Sequence, residues 1–221
     1  AVQLARARGA EVVATASPAN HPLLARYGAL PTSYGDGMAD LAVYRPTVGA
    51  YYVLRSTSSF NRGEALRGIS SALMYVRVGG RDHQPTPADY TGDGKSEFAT
   101  VWDVVRFWTL VDSTEQLISS APWGVAGDTA LACSWNGGAA ARVIVRPENG
   151  GLTWYVSTAE GPVLILKYGL AGDVPKCHLD FDGDGKPNPA VWRPSNGSWY
   201  VLQSDGSTME KQFGLAGDNS L

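Results

Sequence analysis

The chain has 221 residues, of which 44% are hydrophobic and 18% charged, with a formal net charge of −3. This is the composition of a folded globular protein with enough material for a sizeable core. It excludes a disordered chain and leaves no basic footprint for nucleic acid or anionic lipid as partners. No run of about 18 apolar residues occurs, so no membrane-spanning helix is expected.

Residues 1–30 read as helix, strand, helix. In AVQLARARG, Val2, Leu4 and Ala5 are apolar, Arg6 and Arg8 face outward, and Gly9 stands where a helix stops. Glu11 to Ala16 is a β-branched, strand-like run; Pro18 then opens a second helix, Ala19 to Tyr27, which Gly28 closes. The opening residues lack the charged, apolar and small-residue zones of a signal peptide, as a processed secreted chain also would. On AVQLARARGAEVVATAS and the following ANHPLLARYGA, the segment resembles the dinucleotide-binding region of medium-chain dehydrogenases of the quinone-reductase type. The resemblance implies a first Rossmann helix, a second strand and the next helix, over about 30 of 221 residues. The glycine-rich turn that would cradle a pyrophosphate is missing from the segment. Ser17 therefore reads as a helix N-cap, and no cofactor-binding residue is expected. Residues 1–31 are expected to form a short α/β appendage to a second domain, residues 32–221.

From about Thr32 the pattern changes to period-2 alternation, and it repeats. Asp82, Asp128, Asp173 and Asp218 each close one copy, with successive separations of 46, 45 and 45 residues. A first strand type stops at proline or a polar turn: Leu41 to Pro46, Phe98 to Asp103, Arg142 to Pro147 and Pro189 to Pro194. A second follows a tight turn at Tyr51-Tyr52-Val53, Phe107-Trp108-Thr109, Trp154-Tyr155-Val156 and Trp199-Tyr200-Val201. A third ends in aromatic-glycine at Trp123-Gly124, Tyr168-Gly169 and Phe213-Gly214, and the run after each Gly-Asp makes a fourth. Four strands per period of roughly 45 residues are one propeller blade. The expected fold is all-β: a β-propeller of about four four-stranded blades, either a closed small ring or part of a larger one. The first copy is stretched, and its excess at Ser56 to Gly80 reads as an elaborated loop or distorted strand. Taken together, the copies read as a stretch of a longer propeller, completed by homo-oligomerisation if the ring is open.

Two acidic loops carry the site chemistry. In Asp180-x-Asp182-x-Asp184-Gly185-Lys186-x-Asn188, oxygen-bearing side chains alternate along a turn that Gly185 curls through a positive φ. The Lys186 carbonyl supplies a further oxygen. Such a set suits Ca²⁺, a hard cation that takes 6–8 oxygens. The loop lacks the bidentate glutamate and following helix of an EF-hand. The second copy, Asp89-x-Thr91-x-Asp93-Gly94-Lys95-x-Glu97, has Thr91 and Glu97 in place of the usual acids. The first copy keeps only Asp36, Gly37 and Asp40, and the third replaces the loop with Trp135-Asn136-Gly137-Gly138. Loop, strand and turn recur together in order, and on that basis residues 32–221 resemble FG-GAP/VCBS-type repeats. The resemblance implies calcium loops in a propeller and a binding or adhesion role. Neutral ligands in both loops place the expected affinity in the extracellular range, about 10⁻⁴–10⁻³ M.

Cys133 and Cys177 hold nearly matching places in neighbouring copies. Such places in adjacent blades usually lie beyond the roughly 7 Å Cα limit of a disulfide. Buried free thiols are the expectation, with a bridge as the alternative. Trp102, Trp108, Trp154, Trp192 and Trp199 recur at equivalent positions, as a core layer between blades requires. The competing reading is a set of sugar-stacking clefts. His21, His83 and His178 stand apart from any nucleophile or acid pair, and no catalytic motif occurs, so no catalytic residue is expected. The sequence therefore points to a non-enzymatic, calcium-binding propeller module acting outside the cell on a glycan or a cell-surface protein. The alternatives are a carbohydrate-binding lectin and a non-functional oxidoreductase fragment fused to repeats.

Overall fold

A computed structural model describes residues 13–15, 30–32, 41–55, 73–135, 137–158 and 161–218. All regular structure among them is β, in four sheets. The first sheet contains β1 (Val13–Thr15), β2 (Leu30–Thr32), β3 (Leu41–Arg45), β4 (Ala50–Leu54) and β5 (Leu73–Arg77). Its strand order is β2-β1-β3-β4-β5, in which only β1 and β2 run parallel. The second is the antiparallel meander of β6 (His83–Pro85), β7 (Phe98–Trp102), β8 (Phe107–Val111) and β9 (Leu117–Pro122). The third runs β10 (Thr129–Cys133), β11 (Ala141–Glu148), β12 (Gly151–Thr158) and β13 (Gly161–Leu170). The fourth runs β14 (Val174–Lys176), β15 (Ala190–Arg193), β16 (Ser198–Leu202) and β17 (Thr208–Gln212). This is the all-β, blade-built class of a β-propeller, as the 45-residue period predicts.

The alternation places the strands where expected because each buries one kind of side chain. β7 and β15 are mostly apolar and mostly buried, with burial at Phe98, Ala99, Val101, Ala190, Val191 and Trp192. The outer strand β17 is polar (Thr-Met-Glu-Lys-Gln) and mostly exposed, which suits a sheet edge that must not recruit another strand. β1 falls within the strand-like run Glu11 to Ala16 and pairs with β3. The two helices expected at the start of the chain lie outside the described residues, as does the Asp36 loop. β5 is a regular five-residue strand inside the segment that reads as distorted.

The chain divides into two compact units at Pro122/Trp123. In the first, Ala42, Tyr51, Val53, Val76 and Val78 of the first sheet share a buried cluster with Phe98 and Val111 of the second. Tyr51 closes it by donating its hydroxyl to the Ala99 carbonyl. In the second unit, Val143, Val145, Leu152 and Trp154 pack with Val191 around Cys133 and Cys177.

The cysteines are the main correction. Cys133 and Cys177 form a disulfide with their Cα atoms 5.6 Å apart. The expectation of free thiols treats the blades as evenly spaced. Cys133 ends β10, and Cys177 directly follows β14, so both stand at the same end of the first strands of neighbouring sheets. There the two strands come within bridging range.

Two bidentate ion pairs fasten the same unit. Asp128, just before β10, accepts from Nε and Nη2 of Arg146 on β11 at 2.8 and 2.9 Å. Asp173, just before β14, accepts from the corresponding atoms of Arg193 on β15, both at 2.8 Å. The repeating Gly-Asp and Arg-Pro dipeptides are thus the two halves of one recurrent clasp.

Candidate metal-binding loops

The Asp180 loop joins β14 to β15, and the Asp89 loop joins β6 to β7. They fold alike. Asp180 accepts the Gly183 N–H at 2.6 Å and the Gly185 N–H at 2.9 Å. Asp89 accepts the Gly92 and Gly94 N–H groups at 2.6 and 2.8 Å. Asp184 accepts the Lys186 N–H, as Asp93 accepts that of Lys95. All four glycines have φ between +77° and +85°, a conformation costly to a residue with a Cβ. The first aspartate thus closes the turn, and the glycines let the chain curl round it.

The ninth position closes the other side in both loops. Asn188 accepts the Phe181 N–H at 2.7 Å, and Glu97 accepts the Tyr90 N–H at 2.6 Å. Asn188 also donates to Asp182, whereas Glu97 accepts from the Thr91 hydroxyl. Burial raises the Glu97 carboxyl above its usual range, against the opposing pull of the Tyr90 and Thr91 N–H groups.

Each loop brings three carboxylates together. One oxygen from each of Asp180, Asp182 and Asp184 lies within 4.8 Å of the others, and the same holds for Asp89, Asp93 and Glu97. A carboxylate offers about four acceptor positions, so the backbone bonds orient these oxygens without exhausting them. Ten residues were expected to form the two sites: Asp180, Asp182, Asp184, Lys186 and Asn188, and Asp89, Thr91, Asp93, Lys95 and Glu97. Every one lies in its own loop. The carboxylates converge, while both lysines take part through a backbone N–H to the preceding aspartate.

One participant escapes sequence reasoning. Ser204, in the β16–β17 turn, donates its N–H to Asp182 at 2.7 Å and its hydroxyl to Asp184 at 2.7 Å. The Ser204 N–H is the main reason the Asp182 carboxyl is held down at about 2. Ser204 is 20 residues from Asp184, and nothing in local spacing marks it.

The third copy has a physical reason for Gly137, which also has φ +73°. A Cβ at Gly137 would stand 3.2 Å from the Gly185 carbonyl oxygen. The short third turn therefore packs directly against the Asp180 loop, where a larger side chain would crowd it.

The tryptophans divide. Trp108, Trp154 and Trp192 are fully buried, which is the core role expected. Trp199 is half-buried, 5.5 Å from the Trp192 ring. Trp102 departs from them: it is 41% exposed and lies parallel to the His83 ring at 5.9 Å. His178 is half-buried, and desolvation, aided by Lys176, pushes its imidazole down to about 4.

Fold and loops together define a β-propeller-class protein carrying two equivalent acidic turns. No protein-family model matches the sequence, and no curated protein does. Among solved structures, the chain is similar to an auxiliary nutrient binding protein from Bacteroides ovatus ATCC 8483, with a TM-score of 0.46 and 11% sequence identity. The likeness covers 77% of this chain and 44% of that one, so the chain spans less than half of that protein's length.

Proposed function

We propose that the protein is a non-enzymatic, calcium-binding β-propeller module that binds a glycan or a cell-surface protein outside the cell. The observation that carries the calcium reading is the equivalence of the two loops. Two segments 91 residues apart, with different residues at their third and ninth positions, build the same turn and gather three carboxylates each. Asp180, Asp182 and Asp184 would hold the ion in one loop, and Asp89, Asp93 and Glu97 in the other. A bound Ca²⁺ would offset two of the three clustered negative charges and tie the turn to its sheet. The Cys133–Cys177 disulfide supports an oxidising compartment.

The test is a melting curve in millimolar calcium and in EGTA. Calcium at ten times its dissociation constant should stabilise the folded chain by about 1.4 kcal/mol per site. An unchanged midpoint would remove the calcium reading.

Trp102 favours a second reading, carbohydrate binding, because an exposed indole offers a flat face to a sugar ring. A glycan array probed with the chain and with Trp102→Ala separates the two. Binding lost in the variant supports a lectin.

A further inference from the structure

The Asp180 loop is backed by a turn that carries no acidic loop of its own. Cys133 ends β10, and the turn after it runs through Trp135 to Gly137. Trp135 packs against the buried cluster around the two cysteines, with its ring 6.5 Å from that of Trp154. Gly137 donates its N–H to the Ser134 carbonyl at 2.9 Å. A Cβ on Gly137 would meet not only the Gly185 carbonyl oxygen but also Lys186 Cγ, 3.5 Å away. The turn therefore reaches from the cysteine cluster to the glycine and lysine of the acidic loop.

The loop starts from the same cluster. Cys177 stands three residues before Asp180, and the Asn188 N–H closes the base of the loop on the Leu179 carbonyl at 2.8 Å. The Cys133–Cys177 bond, with both cysteines buried, joins the root of the loop to the root of the turn behind it. Loop and turn thus share one covalent root and touch again at Gly137 and Gly185. The Asp89 loop is rooted differently. Thr86, three residues before Asp89, holds the place of Cys177. It is buried, and its hydroxyl finds no partner among the described residues.

We infer that the Cys133–Cys177 bridge positions the Asp180 loop for its ion, so that ion affinity and the redox state of the bridge are coupled. The inference rests on the calcium reading of the loops. A dithiol reduces the bridge by passing two electrons and two protons to it. The S–S bond breaks, each cysteine sulfur becomes a thiol, and the two thiols of the reductant close into a disulfide. The root of the loop is then released, and the ion itself has to order Asp180, Asp182 and Asp184, at a cost in affinity. Such coupling is reciprocal. If reduction weakens the ion about tenfold, saturating ion lowers the reduction potential of the bridge by about 30 mV.

The experiment is calcium titration calorimetry of the oxidised full chain and of the chain with Cys133→Ala and Cys177→Ala, with circular dichroism to establish that the variant is folded. The site that Asp180→Asn removes should weaken by about tenfold without the bridge, and the other site should keep its affinity. A second measurement uses the native cysteines and holds even if the double variant does not fold. The bridge is equilibrated with reduced and oxidised dithiothreitol, in calcium and in EGTA, and free thiols are counted by alkylation and mass spectrometry. Calcium should raise the ratio of reduced to oxidised dithiothreitol needed for half-reduction by about tenfold, and Asp180→Asn should remove that shift. Two bound ions with an Asp180 site indifferent to the bridge, an equal weakening of both sites, or a shift that survives Asp180→Asn would each overturn the inference alone. A chain that binds no calcium would instead remove the calcium reading, and the inference with it.

Discussion

The two compact units solve the same folding problem with different fasteners. Unit 2, residues 123–220, is held by a disulfide and two bidentate arginine–aspartate clasps, around buried aliphatic residues and Trp154. Unit 1 has at its clasp positions Arg45, which meets no carboxylate among the described residues, and an aspartate in place of the arginine, Asp103. Asp103 pairs instead with Arg106, three residues on, through a carboxylate that is half exposed. The described core of unit 1 joins Tyr51 and Phe98 to Ala42, Val53, Val76, Val78 and Val111, with Tyr44 against it and ring centroids 4.9 and 5.2 Å apart. Repeats that share a backbone plan need not share the interactions that hold it. Both regions pack rings and aliphatic side chains, and one of them adds a covalent link and two buried aspartates held by arginine.

The comparison predicts an ordered set of losses. Replacing both cysteines by serine should cost most, because the bridge closes a 44-residue separation. Chain entropy puts that at about 4 kcal/mol, and a calorimetric scan should show unit 2 melting roughly 20 °C lower. If the midpoint moves by only a few degrees, the bridge is not what distinguishes this unit. Arg193→Met comes next. It leaves the buried Asp173 carboxylate without its partner, at a cost of about 3 kcal/mol in urea denaturation. Asp103→Asn, at the equivalent turn of unit 1, should cost less than about 1 kcal/mol, because this carboxylate is exposed. Equal losses in these two variants would erase the contrast between buried clasp and exposed carboxylate.

Acid should separate the units by a smaller margin. The His178 imidazole is held at about 4 in the folded state, below the roughly 6.5 of an unfolded chain. Between these values the unfolded state takes up a proton that the folded state refuses. Unit 2 therefore loses stability as pH falls from about 6.5 to 4, by about 2 kcal/mol for this half-exposed group. His178→Gln should flatten that slope when denaturation is followed in EGTA. A slope unchanged by the substitution would assign it to other groups.

The strand plan was legible because each strand carries its own signal. The alternation in Phe98 to Asp103 or Arg142 to Pro147 reports a buried face directly, and the turn glycines report the sharp chain reversals. The acidic loops were legible for the same local reason, since Asp180 and Asp89 bond to N–H groups only three to five residues away. What was not legible depends on distances across the fold. The Cys133–Cys177 bridge follows from how closely two first strands approach at one end, which sequence separation does not encode. Ser204 reaches Asp182 and Asp184 only because the β16–β17 turn folds back over the loop. Trp102 shares its strand position with the buried Trp192 yet stays exposed, and its own sequence context gives no warning.

Calcium binding at the two loops is the central claim, and equilibrium titration calorimetry of the full chain tests it most directly. The expected result is two sites with dissociation constants of about 10⁻⁴–10⁻³ M. Asp180→Asn should abolish one and Asp89→Asn the other. Absence of binding at millimolar calcium, or binding that survives both substitutions together, would contradict the account.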